Sequence, residues 1–267
     1  MNAVNVTRAR IAAPRLWTDD DMRLVTYNIR YGTGGKPWSG YWHRTHRNLA
    51  RIRRFLEGLA PDILGLIEVD AGSYRSGGRN QGEEIAAALG HTCQYRSKYS
   101  YPPWLSRIPL LNRQGNALLC RETVRTQRFH YFRTGMKRLV IELELPQLTV
   151  FLVHLSLRAK PRSRQLTALH SLVCNLDRPC IVTGDFNLLW GENEIDLFLA
   201  ATGLLSANTA GEPSFPSWAP KRHLDFVLHS PGIQIDRFRV PAVRFSDHLP
   251  LVCDFRVADT RNSTEPQ

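Results

Sequence analysis

Short apolar runs that stop at a carboxylate, an amide or an imidazole recur along the chain, and they constrain the fold more than any other feature. Residues 180–183, Cys-Ile-Val-Thr, lead straight into Gly184-Asp185-Phe186-Asn187. That pattern predicts a buried strand that ends at a glycine and presents a carboxylate and an amide. Side chains two apart on an extended chain share a face, so Asp185 and Asn187 address one small volume. A second group, Ser246-Asp247-His248, opens the apolar run 249–255.

Helix-period segments alternate with these runs. Over residues 44–59, Leu49, Ile52, Leu56 and Leu59 recur at helical spacing, with Arg44, Arg47, Arg51 and Arg54 on other faces. The arginine row reads as a solvated face. Further helices are predicted at 81–89, 162–176 and 191–202. Strands are predicted at 22–28, 63–67, 115–120, 123–132, 137–145, 148–153, 180–183, 223–228 and 249–255. No repeat, low-complexity block or long linker interrupts them. Such a mixture predicts one α/β domain over residues 22–257, after a loose lead-in (1–21) and before a polar tail (258–267).

With 267 residues, 43% of them hydrophobic, the chain can bury a substantial core. Its formal charge of +11 favours polyanionic partners, either nucleic acid or an acidic lipid surface. Of the five cysteines (Cys93, Cys120, Cys174, Cys180, Cys253), three fall in apolar strand-like runs, and none makes a Cys-x-x-Cys pair. This argues against a zinc site or a disulfide framework and fits buried thiols in a reducing compartment. No apolar run reaches transmembrane length. The first 16 residues carry no continuous apolar core of a signal peptide. A cytoplasmic, monomeric protein is the expectation.

The residues at predicted strand ends are Asn28, Glu68, His154, Asp185, Asn187, Asp225, Asp247 and His248. Asp225, inside Leu224-Asp225-Phe226-Val227-Leu228, needs a partner, and a histidine would serve. The oxygen donors of Glu68, Asp247 and Asn28 suit a hard cation such as Mg²⁺ or Mn²⁺. Asp185 has the chemistry of a general base, and the histidines that of charge stabilisers at a phosphoryl group.

Seven motifs then stand in a telling order: 24–30 (LVTYNIR), 61–69 (PDILGLIEV), 115–119 (GNALL), 153–155 (VHL), 184–187 (GDFN), 224–226 (LDF) and 246–250 (SDHLP). The series, across about residues 22–256, resembles the endonuclease/exonuclease/phosphatase family, which includes DNase I-like nucleases, abasic-site endonucleases, neutral sphingomyelinases and inositol polyphosphate phosphatases. The resemblance implies a four-layer α/β/β/α sandwich, with two mixed β-sheets face to face under helices. It also implies a divalent-metal-dependent phosphodiester hydrolase. Glu68 would be the principal metal carboxylate, with Asn28 and Asp247 beside it. Asp185 would orient or deprotonate the attacking water, and Asn187 would position the water or the phosphate. His248 would contact the phosphate while Asp225 holds its ring. His154 would be a second phosphate-binding histidine, and Asn116 a substrate contact. One departure is visible: many members have Gln before the metal-binding Glu, and Ile67 stands there, which is expected to alter hydrogen bonding around the site.

Three loops, 32–46, 96–113 and 211–222, interleave aromatic and basic residues, among them Lys36, Trp38, Tyr41 and Trp42; Lys98, Tyr99, Tyr101, Trp104 and Arg107; and Phe215, Trp218, Lys221 and Arg222. This mixture suits a nucleic-acid backbone track or a lipid headgroup interface. With every principal site position filled, a binding-only homologue without turnover is not expected.

Overall fold

Unbroken apolar runs along the inner strands dictate two buried faces per sheet, and the chain satisfies both. A computed structural model describes residues 21–35, 45–98, 111–189 and 193–258. Residues 1–20 of the lead-in, 259–267 of the tail and most of the loops at 32–46 and 96–113 lie outside the described residues. One sheet holds β1 (Met22–Asn28), β2 (Ile63–Asp70), β3 (Thr92–Ser97), β4 (Gln114–Cys120), β11 (Ile233–Arg239) and β12 (Leu251–Val257) in the order β11-β12-β1-β2-β4-β3. The other holds β5 (Thr126–Tyr131), β6 (Leu139–Glu144), β7 (Thr149–His154), β8 (Cys180–Asp185), β9 (Leu205–Ser206) and β10 (Asp225–His229) in the order β5-β6-β7-β8-β10-β9. Helices α1 (His46–Leu59), α2 (Gln81–Leu89), α3 (Ala159–Cys174) and α4 (Asn193–Thr202) complete four layers.

Strand side chains sort by parity. In β2, Ile63 and Ile67 enter the core between the sheets, whereas Leu64 and Leu66 pack under α1 and α2. A third core, with Phe151, Val153, Leu166, Leu169 and Phe186, joins the second sheet to α3 and α4. Helix α1 buries Leu49, Ile52, Leu56 and Leu59, while Arg47, Arg51 and Arg54 are exposed. The two sheets are tied at depth by a hydrogen bond between the Thr26 and Thr183 hydroxyls, 2.6 Å apart.

The sheets repeat one topology. In the first, β1 is parallel to β2 and antiparallel to β12, and β4 lies antiparallel between β2 and β3. In the second, β7, β8, β6, β10 and β9 make the same pairings in the same senses. The sequence shows no repeat because an architecture of this kind needs matching periodicity, not matching residues.

Several boundaries differ from the sequence reading. β2 runs through Glu68 to Asp70 instead of stopping at Ile67, and its register against β4 shifts between Leu66 and Val69. Glu68 takes φ 57° at this bulge, which turns its side chain out of the ladder. Asp225 begins β10 instead of lying inside a strand. Helix α3 starts at Ala159, with Pro161 in its first turn, where a missing N–H costs nothing. Strands β3, β9 and β11 were not anticipated; each lies at a sheet edge or, for the two-residue β9, is too short to show periodicity.

Candidate active site

Two parallel strand pairs end on one rim, and this is where the polar strand-end residues meet. Asn28 ends β1 and His154 ends β7, while Asp185 ends β8 opposite both. Gly184 makes this approach possible: it has φ 145°, and a Cβ there would sit 1.9 Å from the Val153 carbonyl oxygen. Asn28 Nδ2 donates to Asp185 Oδ2 at 3.2 Å, and its oxygen accepts the Arg30 N–H at 3.1 Å. His154 Nε2 lies 3.2 Å from the same Asp185 oxygen. Asn187, at φ 54°, returns its N–H to Asp185 Oδ1 at 3.0 Å, and its amide donates to the Leu155 carbonyl at 2.9 Å.

His248 closes this group. Its Nδ1 is 2.8 Å from Asp225 Oδ2, which also accepts the Ser214 hydroxyl at 2.5 Å. Its Nε2 faces Asp185 Oδ2 at 3.9 Å, and Phe215 lies against the ring at 4.9 Å between centroids.

Burial and charge separate the two histidines. Burial, reinforced by Lys137, pushes His154 down to about 4 against the pull of Asp185. Burial alone would also lower His248, but Asp225, Asp185 and Asp247 carry it up to about 10. At neutral pH the site thus pairs a neutral imidazole with an imidazolium. Burial opposes ionisation of Asp185, yet His154 and His248 hold it well below the usual carboxylate range. Burial raises Asp225, with His248 opposing.

Asp185, Asp225 and His248 each offer a ligand atom within 4.8 Å of the others. Spacing alone would suit a metal, but His248 Nδ1 is already committed to Asp225 and the ring carries a proton, which repels a cation. This trio is better suited to holding a proton. Glu68 and Asp247 are the acidic side chains with open faces, 14% and 22% exposed. Burial alone raises the Glu68 carboxyl, but Lys98, Lys137 and His154 hold it below its ordinary value. Burial and the Glu68 charge raise Asp247, against His248 and Arg30, whose Nε is 3.4 Å away. Glu68 and Asp247 feel each other's charge, and with the Asn28 amide they offer oxygen donors of the kind a hard divalent cation takes.

Asn116, 1% exposed, accepts the Glu68 N–H on Oδ1 at 3.3 Å, and its Nδ2 has no protein partner among the described residues. A buried donor of that kind needs an acceptor. Ile67 is fully buried in the core between the sheets, so an apolar contact fills the place where a glutamine was expected.

Sequence reasoning missed Lys137 and placed Lys98 on a substrate-facing loop, whereas it is buried. Lys137 precedes β6; its Nζ meets His154 Nε2 and lies 3.9 Å from Glu68 Oε1. Lys98, 4% exposed, meets the Tyr31 hydroxyl, and burial brings its ammonium down to about 8. Of the three aromatic loops, 211–222 is fully described: Phe215 packs on His248, while Trp218, Lys221 and Arg222 are exposed. Lys36, Trp38, Tyr41, Trp42, Tyr99, Tyr101, Trp104 and Arg107 lie outside the described residues.

The sequence matches the profile of the endonuclease/exonuclease/phosphatase family over residues 25–248. The chain belongs to this family. An endonuclease/exonuclease/phosphatase from Beutenbergia cavernae has a similar structure, with a TM-score of 0.67 at 19% identity, over 90% of this chain and 72% of that one. The catalytic domain of human nocturnin with bound sulfate anion gives 0.64 at 21%, over 90% and 95%. A mannosyl-6-phosphatase of Bacteroides thetaiotaomicron gives 0.65 at 15%, over 88% and 99%. At these identities the likeness is one of fold. No curated protein matches the chain in sequence. Members of the family are phosphoester hydrolases and are generally dependent on a divalent metal. Among the described residues, no helix is long and apolar enough to cross a membrane.

Proposed function

We propose that this protein is a divalent-metal-dependent phosphodiester hydrolase that uses Asp185 as the base toward water. One observation carries the reading: Asp185 lies 3.2 Å from His154 and 3.9 Å from His248, at a rim that also holds Glu68 and Asp247, and burial and charge favour a neutral His154 beside a protonated His248. Asp185 is 1% exposed and accepts from Asn28 and Asn187, which fixes its carboxylate for a single water. The His248 imidazolium, steadied by Asp225, donates to a phosphoryl oxygen as negative charge grows there. Lys137 and the free Asn116 Nδ2 supply further donors on the Glu68 side. Glu68, Asp247 and Asn28 would hold Mg²⁺ or Mn²⁺. When bound, such an ion neutralises charge at the phosphoryl and leaving oxygens.

The formal charge of +11 favours nucleic acid as the substrate. A second reading is a lipid phosphodiester or a small phosphate ester. It draws support from exposed Met136, Leu157 and Trp218 on described loops and from the structural likeness to a sugar phosphatase. The test is hydrolysis with Mg²⁺ or Mn²⁺ of plasmid and single-stranded DNA, RNA, phospholipid vesicles and bis-p-nitrophenyl phosphate, wild type beside Asp185→Ala. Metal-dependent cleavage lost in a folded variant supports the hydrolase, and the substrate cut fastest selects between the readings. Turnover of none of them, or turnover unaffected by the substitution, would overturn the mechanism.

A further inference from the structure

Two buried polar side chains on the first turns of α3 contact none of the residues assigned to chemistry through their side chains, yet they reach the backbone of three loops that carry them. Arg162 is 1% exposed, and Gln165 is fully buried. Arg162 Nη1 donates to the carbonyls of Ser156 (3.1 Å), Leu157 (2.8 Å) and Asn187 (3.0 Å). Its Nε and Nη2 grip Glu194 in a fork at 2.9 and 2.8 Å. Gln165 Nε2 donates to the carbonyls of Thr134 (2.8 Å) and Lys137 (2.7 Å), and its oxygen accepts the Ser156 N–H at 2.9 Å.

From these contacts we infer that Arg162 and Gln165 are positioning residues for the hydrolytic site, an inference that rests on the function proposed above. The segment after His154, the segment after Asp185 and the loop bearing Lys137 converge on one pair of side chains three residues apart, a spacing that puts both on one helix face. The packing leaves little slack. A Cβ at Gly135 would fall 2.1 Å from Ser156 Oγ and 2.7 Å from Gln165 Nε2. Asn187 holds a left-handed backbone whose carbonyl is fixed by Arg162 and whose N–H is fixed by Asp185. Its amide in turn ties it to Leu155, next to His154. An ordinary helix-to-core residue would contribute apolar area. These two instead satisfy five carbonyls and one N–H, and the guanidinium meets its three carbonyls and both Glu194 oxygens at once because its donors form a rigid planar fork. A lysine at the same place offers a point charge and cannot meet all five acceptor atoms in their fixed directions.

The experiment compares Arg162→Lys, Gln165→Leu and Leu169→Ala. Leu169 is apolar and buried on the same helix, in the core under α3. Two readouts are taken well below each melting temperature: kcat and KM on bis-p-nitrophenyl phosphate, and hydrogen exchange of the Leu155, Ser156 and Asn187 amides. The expected result is a fall in kcat of about 10²-fold, as misplacement near 1 Å produces, with KM little changed, in Arg162→Lys and Gln165→Leu. Exchange at these amides should rise at least tenfold in both, while Leu169→Ala melts earlier but keeps wild-type kcat and local exchange. Wild-type kcat and wild-type exchange in the two polar variants would overturn the inference, as would equal losses in Leu169→Ala. If the wild type cuts no ester, the hydrolase reading fails, and the amide exchange alone still decides whether the pair holds the loops.

Discussion

Substituting Asp225→Asn removes a charge from beneath His248 with almost no change in shape, and the consequence can be worked out. Nδ1 of His248 lies 2.8 Å from Asp225 Oδ2, so the centres of the two charges are about 4 Å apart. At an effective dielectric near 20, such a pair is worth about 4 kcal/mol. Each tenfold in proton affinity is about 1.4 kcal/mol, so losing the pair should lower His248 by roughly three pH units, from about 10 to about 7. Asp185, with its oxygen 3.9 Å from Nε2, limits the fall. At pH 8.5 the protonated fraction would drop from about 97% to about 3%, a loss near 30-fold in any rate that needs the imidazolium. The assay is kcat/KM for the small diester from pH 6 to 10, with His248 ring resonances titrated in parallel by NMR. The alkaline limb and the ring titration should both move to about pH 7. A folded variant whose alkaline limb stays near that of the wild type would refute the placement of His248 as the proton-bearing contact.

Replacing Asp185 with Asn should cut kcat by about 10²–10⁴-fold while leaving the far-ultraviolet circular dichroism unchanged. Adding Mg²⁺ or Mn²⁺ at about 100 times its Kd should stabilise the protein by about 2.7 kcal/mol; calorimetry should show this rise in wild type and its loss in Glu68→Gln. His154 lies at about 4 in the folded chain, against 6.5 ordinarily. Between those values the unfolded chain binds more protons, so thermal stability should fall as the pH drops from about 6.5 to 4, and His154→Gln should flatten that slope in a melting series. Gly184→Ala should leave little folded protein, because its Cβ would overlap the Val153 carbonyl at 1.9 Å; near-native melting would contradict the tight approach of β8 to β7.

Most of the elements were legible because both faces of each inner strand are apolar, and such strands leave long unbroken runs; their stacking into four layers was legible only through the family resemblance of the seven ordered motifs. The edge strands gave less. Thr-Cys-Gln-Tyr-Arg-Ser of β3 is mostly half-exposed, and β11 carries Gln234, Asp236, Arg237 and Arg239, so neither leaves a buried run. Site carboxylates and imidazoles could be located from the apolar runs they terminate, although the bulge at Glu68 could not, since a register shift leaves no mark in composition. Lys137 was hidden as the first residue of the predicted strand 137–145, and its meeting with His154 is a contact between neighbouring strand ends. Arg162 and Gln165 did leave a trace: Arg162 takes the stripe that continues through Leu166, Leu169 and Val173, where a charged side chain must find a buried partner.

The repeated topology of the two sheets has a consequence for how activity is built. One half, β11 through β4 by way of the β12–β1 pairing, supplies Asn28, Glu68, Asn116 and the Asp247-His248 dipeptide. The other, β5 through β10, supplies Lys137, His154, Asp185, Asn187 and Asp225. Three of the site's contacts (Asn28 with Asp185, His248 with Asp225, Lys137 with Glu68) cross between them. The candidate site is in effect the seam of an intramolecular dimer, so neither half carries the whole set of residues, and under the proposed function turnover would gauge how faithfully the two halves dock.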